Sequence, residues 1–195
     1  MKKGKTHRIK FRRKREGKTD YRKRLKLLLG GTPRLVVRKS LNNIYAQIIE
    51  YGEEGDKAVL AASSSMLGKY GWKINKGNIP AAYLTGLLMG KKAKSKGINE
   101  LVLDSGLSPS VKGSRVYALL KGVVDAGLNV PHLKDILPGE ERITGGHITK
   151  YAEALKKGKG DYEKKFSSYI KNKVNPEEIK KLFEETKKKI VVENG

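Results

Sequence analysis

The sequence predicts a mixed α/β fold, in which an antiparallel three-stranded meander is followed by a β-α-β-α-β unit. Between residues 34 and 63, short runs carry apolar side chains at alternate positions, which is the period of a strand. From residue 78 the apolar spacing changes to the helical period, with short apolar runs between the helical segments. Because neighbouring parallel strands need helical crossovers, this second half predicts parallel pairing beside the antiparallel meander.

Charge divides the chain into unequal parts. Lys and Arg number 43 against 20 Asp and Glu, a formal net charge of +23 in 195 residues. Residues 1–34 alone hold 15 basic side chains against Glu16 and Asp20. A compact fold with this charge repels itself, so we expect an anionic partner. The absence of cysteine excludes disulfide scaffolds and cysteine-ligated zinc modules. No apolar stretch predicts a membrane span or signal peptide, so we expect a soluble, intracellular protein with no membrane partner.

The composition predicts three parts: residues 1–31 as a basic arm with a short helix, 32–145 as the mixed α/β domain, and 146–195 as a helical C-terminal extension. Residues 1–20 have too few apolar side chains to fold alone, so we expect them to be disordered in isolation. Phe11 and Tyr21, set among cations, suit stacking on exposed bases. A generic basic tail remains the alternative.

The elements follow in chain order. Residues 21–29 predict a short helix, which Gly30 and Gly31 end. The predicted strands are residues 34–38, 44–51, 58–63, 101–104 and 128–130. The predicted helices of the α/β domain are residues 81–96 and 113–126, the first capped by Asn78. In the extension, helical segments are predicted over residues 147–157 and 161–171 and from residue 175 onward.

The side chains that an enzyme would need do not form a recognisable constellation. Gly86 and Gly90 resemble a phosphate-binding loop, but the spacing is one residue short and falls inside a predicted helix. The three histidines are scattered, and the strands lack the clustered carboxylates of a two-metal nuclease. Asp104 is interpreted as a turn residue, and Trp72 as either a core residue or a stacking platform. The sequence therefore predicts no enzyme, no metal and no cofactor.

Several motifs occur in an order that resembles one family. They are REGKTDYRKR at residues 15–24, PRLVVRKS at 33–40, IYAQ at 44–47, AAYLTGLL at 81–88, GSRV at 113–116, DAGL at 125–128 and RITGGHI at 142–148. Together they resemble the universal eighteenth large-subunit ribosomal protein family, which binds 5S rRNA. The modest length of the C-terminal helices is similar to that of the archaeal type.

This resemblance implies a structural constituent of the large ribosomal subunit, in the cytoplasm, with the mixed sheet found in several translational components. It implies binding to 5S rRNA and to large-subunit rRNA in the central protuberance, beside neighbouring ribosomal proteins. The RNA contacts that it implies are Arg8, Lys10, Arg12, Arg13, Arg15, Lys18, Thr19, Tyr21, Arg22, Arg24, Arg38, Ser40, Asn42, Asn43 and Gln47. The competing interpretation is a general nucleic-acid compaction protein, which would bind duplex DNA nearly as well.

Overall fold

A four-stranded sheet with strand order β3-β2-β1-β4 forms the centre of the computed structural model, which describes residues 9–157 and 162–193. The strands are Arg34–Lys39 (β1), Ile44–Glu50 (β2), Lys57–Ser63 (β3) and Val102–Asp104 (β4). The β1–β2 and β2–β3 pairs are antiparallel, whereas β1 and β4 are parallel. The predicted mixed sheet with an antiparallel meander is confirmed.

The two faces of this sheet have different chemistry. Leu35 pairs with Ile48 in the register of β1 and β2, and both side chains are buried in the core. Because side chains alternate along a strand, Arg34, Val36 and Arg38 lie on the opposite, outer face. The outer face is therefore where β1 presents its two arginines.

The N-terminal segment forms two short helices, α1 (Arg12–Arg15) and α2 (Tyr21–Leu28). The sequence predicts α2 but not α1, because a single turn of four basic residues is not stable by itself. The turn is closed by backbone hydrogen bonds, among them one of 2.8 Å from the Lys18 amide to the Arg13 carbonyl. Residues 9–20 thus hold one helical turn, where the sequence predicts no regular structure.

Two helices cover the inner face of the sheet, α3 (Ile79–Ser95) and α4 (Arg115–Asp125). As predicted, the Asn78 side chain caps α3, accepting a 2.9 Å hydrogen bond from the Ala81 amide. The helices pack closely because glycines lie at their contact: a Cβ on Gly86 would stand 2.0 Å from the Leu119 carbonyl oxygen. Larger side chains there would force the helices apart.

The strand predicted over residues 128–130 is wrong. This segment makes only one isolated parallel bridge, between Asn129 and Glu100. The Leu101 amide donates to the Asn129 carbonyl at 3.0 Å, and the Asn129 amide donates to the Asn99 carbonyl at 2.8 Å. Pro131 has no amide hydrogen, so the ladder cannot continue beyond three residues.

The C-terminal region is helical, as predicted. Its helices are α5 (Glu140–Ile143), α6 (Gly146–Lys157), α7 (Tyr162–Lys165), α8 (Ser167–Lys171) and α9 (Ile179–Glu193). The helix predicted over residues 161–171 is interrupted at Phe166, whose buried ring packs against Tyr162 and Tyr169. Single-turn 3₁₀ segments lie at Lys134–Ile136 and Pro176–Glu178, and a longer one at Ser64–Tyr70.

Helix α9 packs on α3, on the side of the molecule away from the outer face of the sheet. The rings of Phe183 and Tyr83 lie 5.6 Å apart at this contact, and Ile179 and Ile190 are fully buried. Trp72 is also fully buried, which decides in favour of its interpretation as a core residue. Across the described parts of the chain, none of the helices has the length and apolar character that crossing a membrane requires.

Candidate nucleic-acid interface

A basic groove of about 540 Å³ lies between the N-terminal segment and the outer face of the sheet. The strands contribute Val36, Gln47 and Ile49 to its surface, and α2 contributes Leu27. Its cationic side chains are those of Arg13, Lys18, Lys23, Arg24, Lys26, Arg34 and Arg38. The groove thus combines a partly apolar surface with many cations, which suits an anionic ligand that also carries flat rings.

Carboxylates fix three of these arginines in place. Both Nη atoms of Arg24 donate to the two carboxylate oxygens of Asp56, each at 2.8 Å. Arg34 Nη2 donates to Asp56 Oδ2 at 2.8 Å, so one carboxylate holds an arginine from α2 and another from β1. The β2–β3 turn that carries Asp56 therefore ties the arm helix to the sheet.

Asp104, at the end of β4, holds the next pair of arginines. Its Oδ2 accepts from Arg34 Nη1 at 3.1 Å, and its Oδ1 lies 3.3 Å from Arg38 Nη2. Arg38 Nη1 also donates to the Val37 and Asp104 carbonyl oxygens, both at 2.8 Å. The result is a chain of alternating charges, Arg24–Asp56–Arg34–Asp104–Arg38, which we name the ion-pair ladder.

The turn after β4 completes this arrangement. The Gly106 amide donates to Asp104 Oδ1 at 2.8 Å, so Asp104 is a turn residue, as the sequence predicts, as well as an ion-pair partner. Gly106 has a φ of +62°, and a Cβ at this position would stand 2.9 Å from Arg38 Cζ. Glycine therefore supplies both the backbone conformation and the space for the guanidinium.

The ladder is buried at its centre and open at its ends. The Arg34 side chain is 4% exposed, whereas those of Arg24 and Arg38 are 33% and 49% exposed. Desolvation acts to raise the pKa of Asp56, but hydrogen bonds from Arg24 and Arg34 outweigh it and lower the pKa. A ligand in the groove can thus reach Arg24 and Arg38, which the carboxylates hold in a fixed orientation.

The arm brings a second set of cations to the groove, with fewer restraints. Asp20 caps α2 by accepting from the Arg22 and Lys23 amides at 3.0 and 3.3 Å. Arg13 Nε donates to Thr19 Oγ1 at 2.9 Å, and this contact folds the arm back toward α2. The predicted arm residues that the structure describes are exposed or half-buried, namely Lys10, Arg12, Arg13, Arg15, Lys18, Thr19, Tyr21, Arg22 and Arg24. Arg8 lies outside the described residues.

The two arm aromatics lie together. The rings of Phe11 and Tyr21 are 5.1 Å apart, and the Phe11 residue is 71% exposed. An exposed ring braced by a second ring offers a flat apolar surface among cations. This arrangement suits the stacking of an unpaired base.

The β1–β2 turn is a separate feature at the end of the hairpin. Ser40 Oγ accepts from the Asn43 amide at 3.0 Å, and the Ser40 amide donates to the Asn43 carbonyl at 2.8 Å. Asn43 Oδ1 also accepts from the Ser64 hydroxyl at 3.3 Å, whereas Asn42 is exposed. Of the residues predicted here, Ser40 and Asn43 thus hold the turn and Asn42 faces outward.

Sequence reasoning missed several residues that build this surface. Arg115, at the start of α4, donates from Nη1 to the Ser40 and Gly77 carbonyl oxygens at 3.2 and 2.9 Å, and so supports the turn. Arg34 and Asp56, which build the ladder with Asp104, were not predicted as site residues. The i, i+4 spacing of Arg34 and Arg38 in a strand places both on one face and would have indicated Arg34. No sequence signal indicates Asp56.

The predicted residues therefore form two groups. One group lines the groove, namely Arg13, Lys18, Thr19, Arg24, Arg38 and Gln47. The other lies outside the groove lining, with Lys10, Arg12, Arg15, Tyr21 and Arg22 in the arm and Ser40, Asn42 and Asn43 beyond the end of β1. Within the described residues, no group of three or more His, Cys, Asp or Glu side chains is placed to hold a metal ion. The basic groove on the outer face of this mixed sheet is the electrostatic feature expected of a nucleic-acid-binding protein.

Comparison with known proteins identifies the family of nucleic-acid-binding proteins to which the chain belongs. The model of the family "Ribosomal large subunit proteins 60S L5, and 50S L18" matches residues 5–100 and 93–133. A relative named large ribosomal subunit protein uL18, from Methanococcus maripaludis, is 51% identical over 184 residues, covering 94% of this chain and 95% of the relative. The chain belongs to this family of large-subunit ribosomal proteins. It is a structural constituent of the large ribosomal subunit, in the cytoplasm, and not an enzyme, which confirms the predicted family and general function.

Proposed function

We propose that this protein binds 5S rRNA and attaches it to large-subunit rRNA in the central protuberance, beside neighbouring ribosomal proteins. The observation that carries the proposal is the basic groove, where cations from the arm and from the sheet meet on one face. In this proposal residues 1–31 act as the RNA-capturing arm, residues 32–145 as the docking body, and residues 146–195 as an extension on the opposite side.

The arm captures RNA through its charge. Lys10, Arg15 and Arg22 are exposed and make no ion pair within the described residues, so their charges are available to phosphates. Such contacts release counterions and carry no sequence information of their own. They position an RNA along the groove.

The ion-pair ladder and the outer face of the sheet recognise the shape of the RNA. Arg24 and Arg38 are held by carboxylates, so little side-chain freedom is lost when they donate to RNA. Gln47 lies on the exposed outer face of β2, in the groove beside Val36, where an amide can pair with a base edge. The full set of proposed RNA contacts is Arg8, Lys10, Arg12, Arg13, Arg15, Lys18, Thr19, Tyr21, Arg22, Arg24, Arg38, Ser40, Asn42, Asn43 and Gln47.

The deciding experiment is competition binding. The full-length protein is bound to labelled 5S rRNA at about 150 mM salt, where nonspecific phosphate binding is weakened, and challenged with transfer RNA or duplex DNA. The proposal expects 5S rRNA to resist a large excess of both competitors. If duplex DNA competes equally, a general compaction protein is the correct description.

A matched pair of double variants locates the contacts. Arg15→Gln with Arg22→Gln removes two exposed charges of the arm, and Lys69→Gln with Lys134→Gln removes two exposed charges that lie outside both the arm and the lining of the groove. The arm pair should lower the slope of log affinity against log salt by about 1.4–1.8, from 0.7–0.9 per phosphate contact. An equal change for the second pair would mean that net charge matters and the position of the arm charges does not.

A further inference from the structure

A second basic cleft, of about 550 Å³, lies on the helical side of the molecule. One wall is the segment at Gly71 and Lys73 that follows the 3₁₀ segment of residues 64–70, and the other is formed by the α8–α9 connection and α9. Lys73, Lys173, Lys181 and Lys189 line the cleft, against the carboxylates Glu178 and Glu185. Among the described residues, none of those implied by the family resemblance lines this cleft.

The ammonium groups of these four lysines have no ion-pair partner among the described residues. None of them forms an ion pair within 4.0 Å in the part of the chain that the structure describes. The nearby Lys156, in contrast, is paired with Glu177. Four ammonium groups and two carboxylates leave a net positive cleft that is open to an anion.

The backbone at Lys173 gives an independent indication. Lys173 has a φ of +52° and is the one non-glycine residue with a positive φ in residues 9–157 and 162–193. It ends α8 in a left-handed cap, where the Lys173 amide donates to the Ile170 carbonyl and the Val174 amide donates to the Tyr169 carbonyl, both at 3.0 Å. Glycine adopts this conformation without strain, so the lysine at this position has a conformational cost, and its side chain lines the cleft.

The chemistry of the lining favours RNA over a protein partner. Lysine is depleted at protein–protein interfaces, which depend on buried aromatic and arginine anchors. The described residues that line this cleft include two apolar side chains, Val174 and Leu182, and neither an aromatic ring nor an arginine. Lysine ammonium groups are, in contrast, a common partner of RNA phosphates.

The cleft and the groove lie on opposite sides of the sheet. The groove is on the outer face, whereas α3 covers the inner face and α9 packs on α3. Since packed helix axes lie about 8–10 Å apart, the sheet and a helix layer separate the two surfaces. One RNA segment in the groove therefore leaves the cleft free for another.

We propose that the cleft lined by Lys73, Lys173, Lys181 and Lys189 is a second RNA-binding site, which takes a phosphate backbone segment separate from the RNA in the groove. The proposal rests on the proposed function in that the first site is assumed to hold 5S rRNA. It gives the C-terminal extension a direct part in joining two RNA segments.

The test compares two double variants of the full-length protein. Lys181→Gln with Lys189→Gln removes cleft charges, and Lys180→Gln with Lys188→Gln removes the same charges at the same spacing from exposed α9 positions outside the cleft. Each protein is first saturated with 5S rRNA and then titrated with labelled, protein-free large-subunit rRNA at several salt concentrations. The cleft pair should lower the salt slope of this second binding by about 1.4–1.8, and the control pair should leave it unchanged.

Lys173→Gly separates binding from folding. Removing the side chain relieves the strained cap, so unfolding should need at least as much denaturant as in the unsubstituted protein, while affinity for large-subunit rRNA falls. A merely structural lysine would change stability without changing affinity. Equal salt slopes for the two double variants would also overturn the proposal.

Two further measurements distinguish a failure of the proposed function from a failure of the proposed second site. If 5S rRNA does not bind selectively to the unsubstituted protein, the proposed function fails, and the cleft variants are then compared on large-subunit rRNA alone. Poly-L-glutamate serves as the probe for an acidic polypeptide partner. Poly-L-glutamate and unlabelled RNA are compared at equal charge concentration for their ability to displace labelled large-subunit rRNA. If poly-L-glutamate displaces it more effectively, and does so only when the cleft lysines are present, the cleft binds acidic protein and not RNA.

Discussion

The arm and the outer face of the sheet both carry arginines on the side of the groove, but Arg15 and Arg22 in the arm lie outside its lining and the two regions hold their arginines differently. Arg15 and Arg22 in the arm are exposed and without an ion pair among the described residues. Arg34 and Arg38 on β1 both form ion pairs with Asp104, and Arg34 is almost fully buried. In the amino-acid composition, all four arginines contribute the same single positive charge. The structure divides them into charges that are free to meet a ligand and charges that build the surface.

This difference separates binding from stability. An exposed ion pair contributes about 0–1 kcal/mol, so changes in the arm should scarcely affect folding. Removing one partner of a buried pair leaves an uncompensated charge, at a cost of about 3–5 kcal/mol. Changes in the ladder should therefore unfold the protein more easily, and changes in the arm should weaken RNA binding without unfolding it.

The largest expected effect is that of Asp104→Asn. It leaves the buried Arg34 with Asp56 as its remaining carboxylate, so we expect the free energy of unfolding to fall by about 3 kcal/mol, at the lower end of the buried-pair range. Urea unfolding measures this change. Glu53→Gln, in the exposed β2–β3 turn, is the control and should stay within about 0.5 kcal/mol. A loss below about 1 kcal/mol for Asp104→Asn would show that the ladder is no more than a surface network.

Two truncations sharpen the boundary between the regions. Deleting residues 1–18 removes arm cations and keeps Arg24, whereas deleting residues 1–24 also removes Arg24 from the ladder. If the arm contacts 6–10 phosphates, the affinity of the intact protein should fall by roughly 10³–10⁵ between 50 and 200 mM salt. Both truncations should flatten this dependence, and only the longer one should also lower stability. If the dependence of affinity on salt is unchanged after the shorter deletion, residues 1–18 do not contact RNA phosphates.

Arg38 tests whether a ladder end also touches RNA. We expect Arg38→Ala to weaken 5S rRNA binding by about 1–3 kcal/mol if the guanidinium meets a base edge. Arg38→Lys keeps the charge and loses the planar fork, so it should restore little of a base contact and most of a phosphate contact. Filter binding with 5S rRNA and with transfer RNA compares the two. A loss of the same size for both RNAs would identify a phosphate contact.

Much of the fold follows from local sequence. Alternating apolar residues gave the three strands of the meander, and Asn78 gave the start of α3, because these signals lie within a few residues of the structure that they determine. The break of the C-terminal helix at Phe166 had no such signal, since it depends on rings that pack around it. The strand predicted at residues 128–130 is wrong because the segment pairs at a single bridge, and Pro131 has no amide hydrogen with which to extend the pairing.

The site was predictable in its charges and not in its connections. The charge of the arm predicts that it meets an anionic partner, and the family resemblance predicts its individual cations and Arg38 as RNA contacts. The ladder was not, because its partners are distant in the chain: Arg24 and Asp56 are 32 residues apart, and Arg34 and Asp104 are 70 apart. Only the register of β1 beside β4 brings Asp104 to the outer face. Which arginines are free and which are held is decided by tertiary structure.

The smallest expected effect is a dependence of stability on acid pH. Hydrogen bonds from Arg24 and Arg34 lower the pKa of Asp56 below its ordinary value of 3.8, against the opposing effect of desolvation. The unfolded chain therefore binds a proton at a higher pH than the folded one, so the contribution of Asp56 is complete above about pH 4 and is lost as the pH falls through the folded-state pKa. Urea unfolding between pH 7 and pH 3 should show that the free energy of unfolding falls more steeply with acid for the unsubstituted protein than for Asp56→Asn.

Glu16→Gln is the control for this measurement. It removes the exposed arm pairs with Arg12 and Lys18 and should leave the curve unchanged, because those pairs contribute little to folding. Parallel curves for the unsubstituted protein and Asp56→Asn would mean that folding does not lower the pKa of Asp56, so that the ion pairs of this carboxylate do not make stability depend on pH.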